Sequence, residues 1–316
     1  MRSLATWVVP IVLPTGLFSA QSAPGNTQTP QATFRSSVEL VTVTVSVRDE
    51  RGRVVRDLTR KDFTVIDSGG RVEIRDFYTG DSPISLAILL DISGSMAVGG
   101  NIDRAREAVG ATTRGLRAST DEAALFTFDS GLAEVVGFTR DLDRIRGASL
   151  KGTPWGKTSL YDAIAQAATT VGERANRHRA LLVITDGVDT GSKRTAAQVS
   201  GVASSIDVPV YLLTVVTPLD HPGSEFEVSS DGRATQTATL EDLARWTGGD
   251  LRITSTSAHI SVAVRDLLAE LRYQYLITFE PGVRRGWHPL EIRTSNESFV
   301  VHARGGYMSN RPGGGS

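Results

Sequence analysis

Residues 84–96 read ISLAILLDISGSM, and the fold follows from this stretch. From Ile84 to Leu90 the run is apolar apart from Ser85 and shows no two-residue alternation. That pattern marks a strand covered on both faces. The run stops at a carboxylate, Asp91, and hydroxyls follow at alternate positions, Ser93 and Ser95. In sheets of parallel strands, ligands sit beyond the carboxyl ends of the strands. One acid and two small oxygen donors at such an end point to a binding site.

The same rhythm continues downstream. EAALFTF (122–128), ALLVITD (180–186) and VPVYLLTV (208–215) read as further strands. Between them, Ile102, Ala105, Val109, Thr112 and Leu116 line one helix face, and Leu160, Ala163, Ile164, Ala167 and Val171 line another. LEDLARWTG (240–248) and VAVRDLLAEL (262–271) read as helices. Apolar strands alternating with amphipathic helices specify an α/β fold, doubly wound, with a mostly parallel sheet covered on both faces.

On either side the texture is β. In VELVTVTVSVRDERGRVV (38–55), Val43, Val45 and Val47 face one way and Thr42, Thr44 and Ser46 the other, as in a half-buried strand. DFTVID (62–67) and VEIRDFY (72–78) read as short strands about a Ser68-Gly69-Gly70 turn. YQYLITFE (273–280), HPLEIRTS (288–295) and FVVHARGGY (299–307) read as strands after the last helix. The first β segment has too few strands to bury a core alone. Residues 37–80 and 273–308 are therefore expected to pair as one small β-sandwich, with the α/β domain, 84–272, inserted between them.

The N-terminus has Arg2, an apolar stretch from Leu4 to Phe18, and small residues around Ala20. Residues 1–22 read as a secretory signal peptide. The apolar stretch is short for a membrane span, and Pro10 and Pro14 interrupt it. Residues 23–36 read as a disordered linker and 309–316 as a disordered tail. The expectation is a secreted or periplasmic protein with no stable membrane insertion after signal cleavage. With no cysteine, disulfides, zinc–thiolate sites and thiol nucleophiles are excluded. A secreted chain without disulfides suits a bacterial source. Basic and acidic residues number 34 and 35, so no overall basic field favours nucleic acid or an anionic membrane as partner.

Asp186 ends a second apolar strand and is followed by Gly187, and Thr158 stands in a loop just ahead of a helix. Two carboxylates and three hydroxyls could then meet at one edge of the sheet. All are hard oxygen donors, which selects Mg2+, Mn2+ or Ca2+ over zinc or copper. Such a set is not a closed cage and leaves a position for water or for a partner's oxygen.

These residues resemble the metal-ion-dependent adhesion site of the von Willebrand factor A domain family. The matching points are Asp91-Ile-Ser93-Gly-Ser95, Thr158 and the Thr185-Asp186-Gly187 turn. The resemblance covers about residues 84–272. More loosely it extends to secreted bacterial members in which a β segment such as RDERGRVVRDLTRKDFTVID (48–67) precedes the domain. It implies a Rossmann-like domain in which Asp91, Ser93, Ser95 and Thr158 hold Mg2+, with Mn2+ or Ca2+ as alternatives. Asp186 would act directly or through water. It further implies a binding or adhesion module rather than an enzyme, whose metal accepts an Asp or Glu carboxylate of a protein partner. Lys157 stands where the family often has glycine and places a positive charge near the ion.

Two other readings remain beside this one. In the first, the chain is a structural or assembly protein with a non-essential metal site. In the second, it is a metal-dependent phosphohydrolase with Asp91 as nucleophile. Haloacid-dehalogenase-like phosphatases need a second aspartate two residues on as general acid, and here that residue is Ser93. Gly156-Lys157-Thr158 does not make a phosphate-binding loop, because Gly152 stands too close and Pro154 lies within. His178, His221, His259, His288 and His302 show no ligand spacing. Asp189 reads as a loop residue, and Arg104, Arg106, Arg114 and Arg117 read as the solvated face of a helix.

Overall fold

The structure is a computed structural model that describes residues 40–217 and 233–309. The expected signal peptide, the linker, His221 and the tail beyond Ser309 lie outside the described residues. The first elements are β1 (Val41–Arg48), β2 (Phe63–Asp67), β3 (Gly70–Val72) and β4 (Ile74–Tyr78). An α/β region follows with β5 (Ile84–Asp91), α1 (Asn101–Gly115), β6 (Glu122–Phe128), β7 (Leu132–Thr139), α2 (Leu142–Ser149) and α3 (Leu160–Gly172). It continues with β8 (His178–Thr185), α4 (Ala196–Ser205), β9 (Val210–Val215), α5 (Arg233–Thr247), β10 (Leu251–Thr254) and α6 (Ser257–Arg272). The chain returns to strands with β11 (Tyr275–Phe279), β12 (Gly286–Thr294), β13 (Val300–Ala303) and β14 (Gly306–Ser309).

The central sheet has the order β10-β9-β8-β5-β6-β7. All its pairs are parallel except β6 with β7. The mixed α/β class and the mostly parallel sheet are as the alternating rhythm implies. Every residue of β5 is buried, because alternate side chains enter different cores. Leu86, Ile88 and Leu90 pack with residues of α1, α2 and α6 such as Val109, Ile145 and Leu267. Ala87 and Leu89 pack with residues of α3, α4 and α5 such as Ile164, Val199 and Leu243. The chain runs from β5 outward through β6 to β7, then returns to β8 on the other side of β5. The strand order therefore reverses at β5/β8, and in sheets of this kind the ligand crevice lies beyond the carboxyl ends of such a pair.

The flanking strands form two antiparallel sheets, β13-β1-β11-β4 and β14-β12-β2-β3. Each mixes strands from before and after the α/β region, with Val43 opposite Ile277 and Val65 opposite Ile292. They share one core that includes Val43, Val45, Val65, Ile277, Phe279 and Tyr307. Three expectations need correction. The second face of β1 is not solvated, since Thr44 and Ser46 are buried. Thr44 bonds the Asp207 carboxylate and Ser46 bonds Glu270, so the polar face is turned toward the α/β layer. The run 72–78 is not one strand: β3 pairs with β2 and β4 with β11, so the chain changes sheets at Glu73. The run 299–307 also divides between two sheets, turning at Arg304-Gly305.

Candidate metal centre

Asp91 ends the central strand with its side chain wholly buried. The Ser93 backbone N–H donates to Asp91 Oδ1 at 2.8 Å, closing a tight turn at the strand end. The chain then enters a 3-10 turn over Gly94–Gly100. Ser93 Oγ and Ser95 Oγ lie 3.2 Å apart, with Ser93 buried and Ser95 half-buried. Asp91, Ser93 and Ser95 are thus brought together by local turn chemistry.

Thr158 reaches the same edge from the loop before α3. Two backbone bonds lay that loop against the Asp91–Ser95 turn: Trp155 N–H to Ile92 O at 2.8 Å and Gly94 N–H to Gly156 O at 3.1 Å. A methyl group on Gly94 would sit 3.3 Å from the Gly156 carbonyl, and Gly156 itself has a φ of +86°. Glycine therefore suits both contact points. The Thr158 amide bonds Thr190 Oγ1 at 3.0 Å, and its carbonyl accepts from the amides of Thr190 and Gly191. Its side chain is almost fully buried, yet its hydroxyl bonds no other described residue.

Asp186 follows the end of β8, the strand beside β5. It is half-buried, and its Oδ1 accepts from the Val188 amide at 3.3 Å. The residue before it, Thr185, donates its hydroxyl to Asp91 Oδ2 at 2.6 Å. Burial pushes the Asp91 carboxyl up to about 6; the donors from Thr185 and Ser93 pull it down, and the charge of Asp186 adds to the rise. Neither Asp91 nor Asp186 forms an ion pair with a basic side chain among the described residues. A buried carboxylate without a cation is costly. The donor set is all oxygen, and the Thr158 hydroxyl bonds no other described residue. On these observations the residues fit a hard divalent cation.

Two residues at this edge were not among the expected ligands. Asp129 follows the end of β6, and its Oδ2 lies 3.8 Å from where a Gly156 Cβ would stand. EAALFTFD ends in an aspartate just as the other two strands do, so a signal for it exists in the sequence. Thr185 was legible only as part of a turn, and its bond to Asp91 joins residues 94 positions apart. Asp189 bonds the Leu160 amide at 2.9 Å and the Ser192 hydroxyl at 2.7 Å, which fixes the start of α3. Arg106 is not simply solvated: it bonds the carbonyls of Ser149 at 3.2 Å and Gly152 at 2.7 Å and braces the loop that leads to Thr158.

A second group, Asp250, Glu270 and His302, brings possible ligand atoms within 4.8 Å of one another. Here the cation is already supplied. Arg48 pairs with both Asp250 and Glu270, and Ser46 and Tyr211 donate to Glu270 Oε1 at 2.6 and 2.9 Å. In the β-sandwich, Ser68 Oγ and Asp67 Oδ1 both face His288 Nδ1, at 3.3 and 2.9 Å. The other ring nitrogen faces the Arg284 carbonyl at 2.8 Å. A relay needs its acid and its nucleophile on opposite ring nitrogens, so this arrangement is not a serine-hydrolase triad.

Among known proteins, several solved structures resemble the chain. A conserved hypothetical protein, BatB, from Bacteroides thetaiotaomicron is 18% identical, with a TM-score of 0.47, over 60% of this chain and 98% of that one. A von Willebrand factor type A protein from Catenulispora acidiphila is 13% identical, with a TM-score of 0.47, over 89% and 78%. Proximal thread matrix protein 1 from the mussel byssus, in a crystal with a zinc-occupied adhesion-site motif, is 17% identical, with a TM-score of 0.47, over 65% and 49%. No curated protein matches the chain. Residues 86–188 match the family model of the von Willebrand factor type A domain. That segment runs from β5 through the end of β8 and includes Asp91, Ser93, Ser95, Thr158 and Asp186, so the part of the chain that matches the von Willebrand factor type A domain is the part that carries the candidate metal centre.

Proposed function

We infer that the crevice beyond β5 and β8 is a divalent-cation site through which the protein binds another protein. Asp91, Ser93, Ser95 and Thr158 would hold Mg2+, with Mn2+ or Ca2+ as alternatives, and Asp186 would balance its charge. The observation that carries this reading is the Asp91 carboxylate, fully buried and without a basic partner among the described residues. The bound cation supplies an electrophile for a partner's Asp or Glu carboxylate. The chain's own residues orient the hydroxyls, keep Asp91 away from water and leave one side of the set open. No described helix is long and apolar enough to cross a membrane. The apolar N-terminus supports export to the periplasm or the exterior of a bacterial cell, where an adhesive or assembly role is suited.

The test is a calorimetric titration of the protein with Mg2+ and with Mn2+ beside Asp91→Ala. Saturable one-site binding that the variant loses is the expected result. Binding that survives in the variant would place the metal elsewhere and end this reading.

A further inference from the structure

The rim of the crevice is not uniformly polar. Trp155 is 81% exposed, and Leu150 and Val98 are also bare. These residues stand on the two loops that carry Ser95 and Thr158. Single exposed apolar residues are ordinary; Trp155 differs because its backbone is fixed to the site. Its amide is bonded to Ile92 O, between Asp91 and Ser93, and the next residue accepts from Gly94. The start of its loop is braced by Arg106. Thr158 follows three positions later. A bare indole on a restrained backbone can be covered at little cost in conformational entropy. Lys151 and Lys157, both exposed on the same loop, add positive charge that favours an acidic ligand.

Resting on the metal-site reading above, we propose that Trp155 determines specificity: it covers an apolar or aromatic group that the protein partner carries next to its metal-binding carboxylate. The ligand is then an acidic segment with an adjoining apolar side chain, not a carboxylate alone. Trp155 touches the partner and not the metal, so its loss leaves the ion in place.

Two monocarboxylates of equal charge separate these contributions. Acetate offers the carboxylate alone, and 3-phenylpropanoate adds an aromatic ring. Water-proton relaxation of the Mn2+-loaded full chain reports displacement of metal-bound water by either one. The expected result is that 3-phenylpropanoate binds roughly tenfold more tightly than acetate, the scale of burying one ring against another. Trp155→Ala is expected to bring that ratio close to one while Mn2+ and acetate affinities stay unchanged. Equal binding of the two carboxylates by the wild type, or a preference that persists in Trp155→Ala, would overturn the proposal. Failure of the underlying metal reading looks different: no saturable Mn2+ signal, or one that survives Asp91→Ala. That outcome removes the Trp155 assignment as well.

Discussion

Thr185 donates its hydroxyl to Asp91 Oδ2 across the β5/β8 pair, 2.6 Å from oxygen to oxygen, with both side chains fully buried. The bond sits where the strand order reverses and sets the orientation of Asp91. Thr185→Val keeps the shape and removes the donor. Metal affinity is expected to fall roughly ten- to a hundredfold, as is usual when the group that orients a ligand is lost. Calorimetry with Mg2+ measures it, and unchanged affinity would show that Thr185 does not prepare Asp91 for the ion.

The metal-free protein is expected to be penalised by its own site. Asp91 holds its proton up to about pH 6 in the folded state, against an ordinary value of 3.8, chiefly because it is buried. The sign follows: this group stabilises the fold fully below pH 3.8, and the contribution is lost as pH rises through about 6. Its full size is about 3 kcal/mol. In chelator near neutral pH, Asp91→Asn is therefore expected to melt at the same temperature as the wild type or higher. Adding Mg2+ is expected to raise the wild-type Tm and leave the variant unmoved. Scanning calorimetry with and without Mg2+ measures both.

His178 contributes with the opposite sign. At the start of β8 it is buried, and burial depresses its pKa from 6.5 to about 4, only partly opposed by a backbone hydrogen bond to Leu271. The unfolded chain takes up the proton first, so this contribution is present above pH 6.5 and lost as pH falls through about 4. It too amounts to about 3 kcal/mol. Urea unfolding at about pH 7 and about pH 4 should show His178→Leu losing less stability in acid than the wild type. An equal acid loss in the two proteins would mean that His178 is not held neutral by the fold.

Arg48 and Glu270 join the β-sandwich to α6. Glu270 is fully buried, and Arg48 also reaches Asp250 at 2.9 Å. Arg48→Met leaves the Glu270 charge buried without its partner and is expected to cost about 3–5 kcal/mol. Adding Glu270→Gln removes the charge and keeps an acceptor for Ser46 and Tyr211, so most of the loss should return. A double-mutant cycle in urea gives the coupling, and additive losses would show that the two side chains do not stabilise each other.

Much of this was legible in the chain because it is local. Apolar runs without alternation identify β5, β6, β8 and β9, since strands buried on both faces need apolar residues at every position. The stripe through Ile102, Ala105 and Val109 identifies α1 in the same way. Elements with weaker patterns were not visible. β7 is an edge strand with much of one face exposed, and α4 is built largely from Ala, Ser and Gly. The breaks at Glu73 and at Arg304-Gly305 depend on which sheet each half-strand joins, and no short window of sequence contains that choice.

The candidate site divides along the same line. The sequence by itself determined a strand ending in Asp91 with Ser93 and Ser95 beside it, because a turn of five residues needs no distant partner. It also supplied an oxygen-only donor set, the kind that favours a hard cation. Tertiary structure alone decided that Thr185 would hold Asp91, that Trp155 would be pinned to Ile92 at the rim, and that Glu270 would be matched to Arg48. Each of these bonds joins residues more than 60 positions apart, and such pairings arise only when the sheets close and bury the groups together.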